Sequence, residues 1–432
     1  MTQSKQIVIT AFALFSLFFG AGNLVLPPFL GYNAGISWLW VAIGFAISAV
    51  VIPILAIYGH ARLQGTMLDF GKKVSPWFAV TYSILVYAIS VSLPSPRTAS
   101  VAYEMAIQPY FEMSGLWLSI IYFALVLVFV LNRNKIISII GKYLTPLIIV
   151  ILLLVILLGL FAETESLRIS LFDNTFTSGI LEGYQTFDAI GGVVVGGVIV
   201  ISFAIQGKYD YDDKRRMIAK SGLLAGLGLF IIYAGLIALG AWQSNTEEVA
   251  NRTELLSLLS TKTLGNTGTA FLAVLVALAC FTTAVGIITG TADFIKGLFK
   301  NSQTAYLITA VGGCIIGVLV GQNTVGYIID VAIPALMFIY PITIVLIILS
   351  VLPGKFSTVL IYRVTVMITV LFSIPDFLST LKVAIIPEES LLSIKRLIPL
   401  SEDHMGWILP SLAAFILASI ISVSRAGNDQ KS

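Results

Sequence analysis

The feature that most constrains this chain is a succession of apolar runs, each long enough to cross a bilayer and separated by short polar connections. A helix needs roughly 20 apolar residues to span the hydrocarbon core. Runs of that length lie at 6–30, 36–59, 76–97, 116–132, 136–161, 183–206, 216–242, 267–294, 304–321, 325–351, 358–377 and 405–424. Most contain no Asp, Glu, Lys or Arg. The third can extend toward residue 106 and then takes in Arg97 and Glu104, while the eleventh has Arg363 and Asp376 near its ends. Backbone polar groups in lipid must be satisfied internally, which suits helices of this length. The expectation is an all-α polytopic membrane protein of 12 transmembrane helices. Composition agrees, with 58% hydrophobic and 11% charged residues, against about 25% charged in a soluble domain. The first run leads straight into the second with no small-residue cleavage site between them, so it reads as a span and not a removable signal.

The net charge of +3 is small and scattered, and points to no nucleic-acid partner. Cys280 and Cys314 both lie inside apolar runs, where they read as small packing residues. Basic residues in short loops orient such a chain. With the N-terminus in the cytoplasm, the outer loops keep Arg97, Arg168, Arg252, Lys262, Lys382, Lys395 and Arg396, and the other Lys and Arg fall inside. Both termini are then cytoplasmic. The expected location is a cytoplasmic membrane.

Function should sit where helices break, because non-helical backbone at membrane depth is tolerated only beside a cavity or inside protein. The first run contains Phe19-Gly20-Ala21-Gly22-Asn23 and then Pro27-Pro28. Close glycines weaken a helix and the prolines remove donors, so regular helix is expected to end soon after them. Freed amides there make a carboxylate site and freed carbonyls suit a hard cation. The other reading is that Gly20 and Gly22 only let two helices pack closely. The sixth run holds a second such stretch, Tyr184-Gln185-Thr186-Phe187-Asp188-Ala189-Ile190-Gly191-Gly192, in which Asp188 either caps a helix or lines the break. Matched breaks in two halves are the mark of inverted-repeat transporters with a midplane site. In the eighth run, Thr282 and Thr283 are either ion ligands or hydroxyls bonded back to their own helix. Asp330, Pro334 and Pro341 in the tenth suggest a bent helix along a pathway, or an aspartate satisfied by a neighbour.

The stretches GAGNLVLPP (20–28), GYQTFDAIGG (183–192) and FTTAVG (281–286), with the twelve-run layout, resemble the bacterial branched-chain amino acid:cation symporters of the BrnQ type. The resemblance covers essentially the whole chain. It implies a single transporter domain with the LeuT-type 5+5 inverted repeat and broken helices 1 and 6. Residues 6–161 would be the first repeat, 183–351 the second, and 358–424 two additional helices. Gly22-Asn23, with Pro28 five residues on, matches the first-helix pattern of LeuT-type transporters. By that likeness Gly20, Ala21, Gly22 and Asn23 would bind substrate, with the amides of Ala21 and Gly22 on its carboxylate. Thr186, Phe187, Asp188, Ala189 and Gly191 are assigned to the same site only as a neighbourhood. Asn23 would also serve a sodium ion. A second sodium would take the carbonyls of Ser16, Phe19 and Ala279 and the hydroxyls of Thr282 and Thr283.

The implied activity is sodium-driven import of leucine, isoleucine or valine by alternating access, with lipid, Na+ and a small amino acid as partners and no cofactor beyond the coupling ion. Proton coupling on the same fold is the alternative, with Lys142 as a titratable candidate. A channel or passive pore would want a filter or ring, and an enzyme a nucleophile and base. His60 and His404 lie far apart in sequence and in no such cluster.

Overall fold

The computed structural model describes residues 3–132, 136–161, 166–194, 196, 210–245, 249, 251–381 and 386–429. Its elements are helical. Among the described residues, eight helical stretches are long and apolar enough to cross a membrane: Gly22–Leu63, Pro76–Ile107, Gly115–Asn132, Tyr211–Trp242, Arg252–Leu298, Gln303–Gly321, Val325–Val351 and Val359–Thr380. The apolar segments Pro146–Leu160 and Ile408–Ser424 are shorter, and much of the run at 183–206 lies outside the described residues. Large side chains such as Trp77, Phe161, Leu223 and Ile308 are largely exposed, as lipid-facing positions require and water-facing ones do not.

Contacts divide the chain into two units. The first is Met1–Val51, Tyr87–Asp188 and Lys220–Asp330, and the second is Ile52–Val86, Ala189–Ala219 and Val331–Ser432. The first opens with α1 (Gln3–Phe18) and α2 (Ala21–Ala34). It continues with α3 (Trp38–Ala46), α7 (Pro94–Ala102), α8 (Gly115–Asn132), α9 (Ile136–Leu160), α10 (Thr175–Tyr184), α13 (Arg252–Leu298) and α14 (Gln303–Gly321). It also holds most of α12 (Tyr211–Trp242). The sequence places small residues where these backbones touch. A Cβ built on Gly31 of α2 would lie 1.8 Å from the Ile237 carbonyl oxygen, and one on Gly240 of α12 would lie 1.9 Å from that of Pro28. Gly44 of α3 and Gly179 of α10 meet their partner backbones at 2.1 and 2.3 Å in the same way. Close approach through glycine is how helices associate where lipid removes the hydrophobic drive. Behind them, Tyr122, Phe123, Val126, Val285, Ile288 and Tyr306 form an apolar core that includes Cys314. Cys280 is buried too.

Two sequence expectations change here. Pro27 and Pro28 do not end a helix; they lie inside α2, which continues to Ala34. The break falls before them, at Phe19–Gly20, and the close α2–α12 packing around Pro28 and Gly31 holds the helix through the missing donors. Arg97, which the count of basic loop residues put outside, is a buried member of α7 inside the long stretch Pro76–Ile107, so the longer extent of the third run, toward residue 106, is the one that holds. The eighth run is entered through a kink at Gly265, whose φ of 68° with ψ of 179° only glycine adopts readily.

The second unit holds α4 (Ile52–Leu63), α5 (Met67–Gly71), most of α6 (Pro76–Ser92), α11 (188–194, from Ala189 on), most of α15 (Val325–Val351), α16 (Val359–Thr380), α17 (Glu388–Leu397) and α18 (Ile408–Asp429). Several of its buried polar groups are paired. His60 bonds the carbonyls of Val193 (2.7 Å) and Gly65 (3.2 Å). The two charges of the eleventh run are also accommodated: Arg363 donates to the Val74 carbonyl, and Asp376 accepts from the Gly406 amide and Ser401 with Lys395 3.6 Å away.

Candidate functional site

The first-helix break lies in the first unit. α1 stops at Phe18 and α2 starts at Ala21, with Gly20 extended between them (φ −103°, ψ −174°). Turn bonds from Phe19 N to Phe15 O and from Gly20 N to Phe18 O close the end of α1. The first amides of α2 have no carbonyl one turn earlier to bond, so the positive end of the helix dipole opens at Ala21 and Gly22.

The space a side chain on Gly22 would fill is taken by Arg97. A Cβ built there lies 2.2 Å from Nη2 and 2.8 Å from Cζ of the guanidinium. Arg97 is 3% exposed. Its Nη1 donates to the Gln185 carbonyl at 2.7 Å, its plane lies 5.4 Å from the Phe187 ring, and its Nε has no partner.

Next to it, Asn23 Nδ2 donates to Asp188 Oδ2 at 2.6 Å and to the Tyr233 hydroxyl oxygen. Tyr233 in turn donates to Asp188 Oδ2 at 3.3 Å. All three side chains are buried, so the Asp188 carboxyl group is hydrogen-bonded out of contact with water, as a buried polar group must be.

The sixth-helix interruption is equally local in origin. α10 ends at Tyr184, Gln185 and Thr186 turn, and Phe187 takes a positive φ of 62° before helix resumes at Asp188. A non-glycine residue held in that region is strained, and such residues concentrate at functional sites. Thr186 Oγ1 organises the turn, donating to Gly183 O and accepting from Asp188 N. In the second unit, Ala189 N donates to the Tyr340 hydroxyl oxygen at 3.4 Å. A Cβ on Gly191 would meet nothing within 4 Å, whereas one on Gly192 would press on Ala56 and the Pro53 carbonyl. Gly192 therefore serves packing and Gly191 does not.

Of the expected ion ligands, Ser16 lies on α1, Phe19 in the break, and Ala279, Thr282 and Thr283 on α13. Both threonine hydroxyls donate to the Ala279 carbonyl, at 2.9 and 3.0 Å. That is the back-bonded arrangement, and it leaves each hydroxyl's lone pairs as acceptors. Thr283 faces the break: a Cβ on Gly20 would lie 3.7 Å from its Cγ2 and 3.9 Å from its Oγ1. The Lys142 side chain lies outside the described ones, and Asp330 is exposed on α15.

Sequence reasoning missed Arg97 and Tyr233. The signal for Arg97 was an arginine in Pro94-Ser95-Pro96-Arg97-Thr98 within an otherwise apolar region, since an ionisable residue at membrane depth is functional by default. Tyr233 sits in an apolar run with nothing local to single it out.

A chain of apolar helices, two of them interrupted beside buried polar groups, defines a multi-pass membrane transport protein. Among solved structures, that of Mhp1, a nucleobase-cation-symport-1 family transporter, in a closed conformation with bromovinylhydantoin bound, is similar to 97% of this chain and 93% of its own, with a TM-score of 0.63 and 13% identity. A manganese transporter mutant of Eremococcus coleocola is similar over 97% and 94%, with a TM-score of 0.60 and 14% identity. These establish the fold. The family described as "Branched-chain amino acid transport protein" matches residues 3–425, and this chain belongs to it. Curated relatives include the branched-chain amino acid permease BrnQ of Bacillus subtilis, 31% identical over 98% of both chains. The branched-chain amino acid transport system 2 carrier protein of Pseudomonas aeruginosa is 31% identical over 97% of both.

Proposed function

We propose that the chain is a secondary transporter that imports leucine, isoleucine or valine, coupled to sodium, by alternating access. The observation that carries the reading is the approach of Gly20, in the break between α1 and α2, to Thr283 on α13. It brings the Thr283 hydroxyl to the break at the end of α1, and neutral oxygens of that kind suit a hard cation. Ser16, Phe19, Ala279, Thr282 and Thr283 would hold that ion. Gly20, Ala21, Gly22 and Asn23, with Thr186, Phe187, Asp188, Ala189 and Gly191, would form the substrate site, and the Asn23 side-chain oxygen would serve a second ion. The family and the names of the relatives support the substrate class. Twelve spans in a 5+5 inverted repeat, cytoplasmic termini and an inner-membrane location complete the proposal.

The buried Asp188 beside Asn23 favours one rival, proton coupling through that carboxylate. Uptake of labelled leucine into proteoliposomes tests the main reading. Unlabelled isoleucine and valine should compete and glycine and lysine should not; equal inhibition by all twenty amino acids defeats it.

A further inference from the structure

We infer that Arg97 is the substrate's carboxylate anchor, its guanidinium binding that group together with the opening amides of α2. The inference rests on the amino-acid substrate proposed above. Arg97 lies against Gly22, at the amino end of α2, and is almost wholly buried. A helix start attracts anions, and a cation is the wrong charge to place there. Desolvating a guanidinium against that positive end is unfavourable unless an anion joins them.

Among the described residues no acidic side chain fills that role, and none closes an ion pair with Arg97. Asp188 is committed elsewhere, accepting from Asn23 and Tyr233. Nη1 is held by the Gln185 carbonyl, which fixes the plane of the guanidinium, and Nε is left without a partner. A forked donor with an unused nitrogen, beside freed amides, matches the planar two-oxygen geometry of a carboxylate. The Gln185 side-chain oxygen is also buried without a partner, and an acceptor is what the ammonium end of an amino acid requires. Gly22 is then glycine because the anchor lies where its side chain would be.

Inhibition of leucine uptake in proteoliposomes by leucinamide, which lacks the carboxylate charge, tests the pairing. The unaltered protein should prefer leucine over leucinamide by about 100-fold, as loss of one partner of a buried charge pair implies. Arg97→Gln should raise the KM for leucine by a similar factor and bring the preference near unity, because the charge that distinguished the two ligands is gone. Arg97→Lys keeps a charge without the fork and should retain a preference of about tenfold. A merely structural arginine would weaken both ligands equally and leave the preference intact; that result in either variant overturns the inference. If Arg97→Gln does not assemble, Arg97→Lys decides, and wild-type KM and preference there overturn it. Unaltered protein that neither binds nor transports leucine, isoleucine or valine overturns the proposed function and this inference with it. Leucine transport with unchanged discrimination in the variants overturns the inference alone.

Discussion

The guanidinium of Arg97 occupies the volume that any side chain at Gly22 would need, with Nη2 2.2 Å from the position of a Cβ there. The atoms in the way are the far end of a flexible side chain, so the arginine yields before the fold does. Gly22→Ala should insert and fold normally while the KM for leucine rises at least about tenfold, about 1.4 kcal/mol of lost binding. Uptake kinetics in proteoliposomes read this, and wild-type KM in Gly22→Ala would show that the position of Arg97 is immaterial.

Gly31 and Gly240 behave differently, because backbone and not side chain blocks their Cβ positions, at 1.8 and 1.9 Å. Neither Ile237 nor Pro28 can swing its carbonyl away without moving α2 from α12. Gly31→Ala or Gly240→Ala should cost about 1–3 kcal/mol or more, the scale of overpacked cores. Thermal unfolding in detergent should report a lowered midpoint for both, in contrast to Gly22→Ala.

Asn23→Ala removes the donor that Asp188 uses at 2.6 Å and leaves the buried carboxyl group with a weaker set of partners that includes Tyr233 at 3.3 Å. Loss of a partner to a buried charged acceptor costs about 1–3 kcal/mol or more. The thermal midpoint should fall and uptake be lost. Asp188→Asn keeps the shape and removes the charge, so uptake that becomes independent of external pH in this variant would mark Asp188 as a proton carrier.

Among the described residues, the hydroxyls of Thr282 and Thr283 bond within their own helix, and such bonds add little to stability. Thr282→Ala together with Thr283→Ala should therefore leave the thermal midpoint nearly unchanged. The sodium concentration for half-maximal uptake should rise about tenfold, the scale of one lost ion contact of about 1.4 kcal/mol. An unchanged sodium dependence removes these residues from the ion site.

The apolar runs made the membrane class legible because charge is expensive in lipid and its absence over 20 residues is hard to misread. Gly20, Gly22 and Asn23 marked the first break because glycine and asparagine are locally poor helix formers. The prolines misled about where helix stops, since tertiary packing at Gly31 and Gly240 overrides a local preference. Counting basic residues between spans cannot tell a loop from a buried helix, and for Arg97 the longer extent of the third run, toward residue 106, is the one the structure bears out. Tyr233 was invisible for a different reason: its partner Asp188 lies 45 residues away in the chain, and only the fold brings them together.

The most direct test of the account is uptake of labelled leucine into proteoliposomes under a sodium gradient alone and under a proton gradient alone. Sodium alone should drive accumulation, and a proton gradient without sodium should not. Accumulation that proceeds unchanged without sodium and is driven by the proton gradient, and that Lys142→Ala or Asp188→Asn abolishes, would contradict the sodium site at Thr282 and Thr283 and put proton coupling in its place.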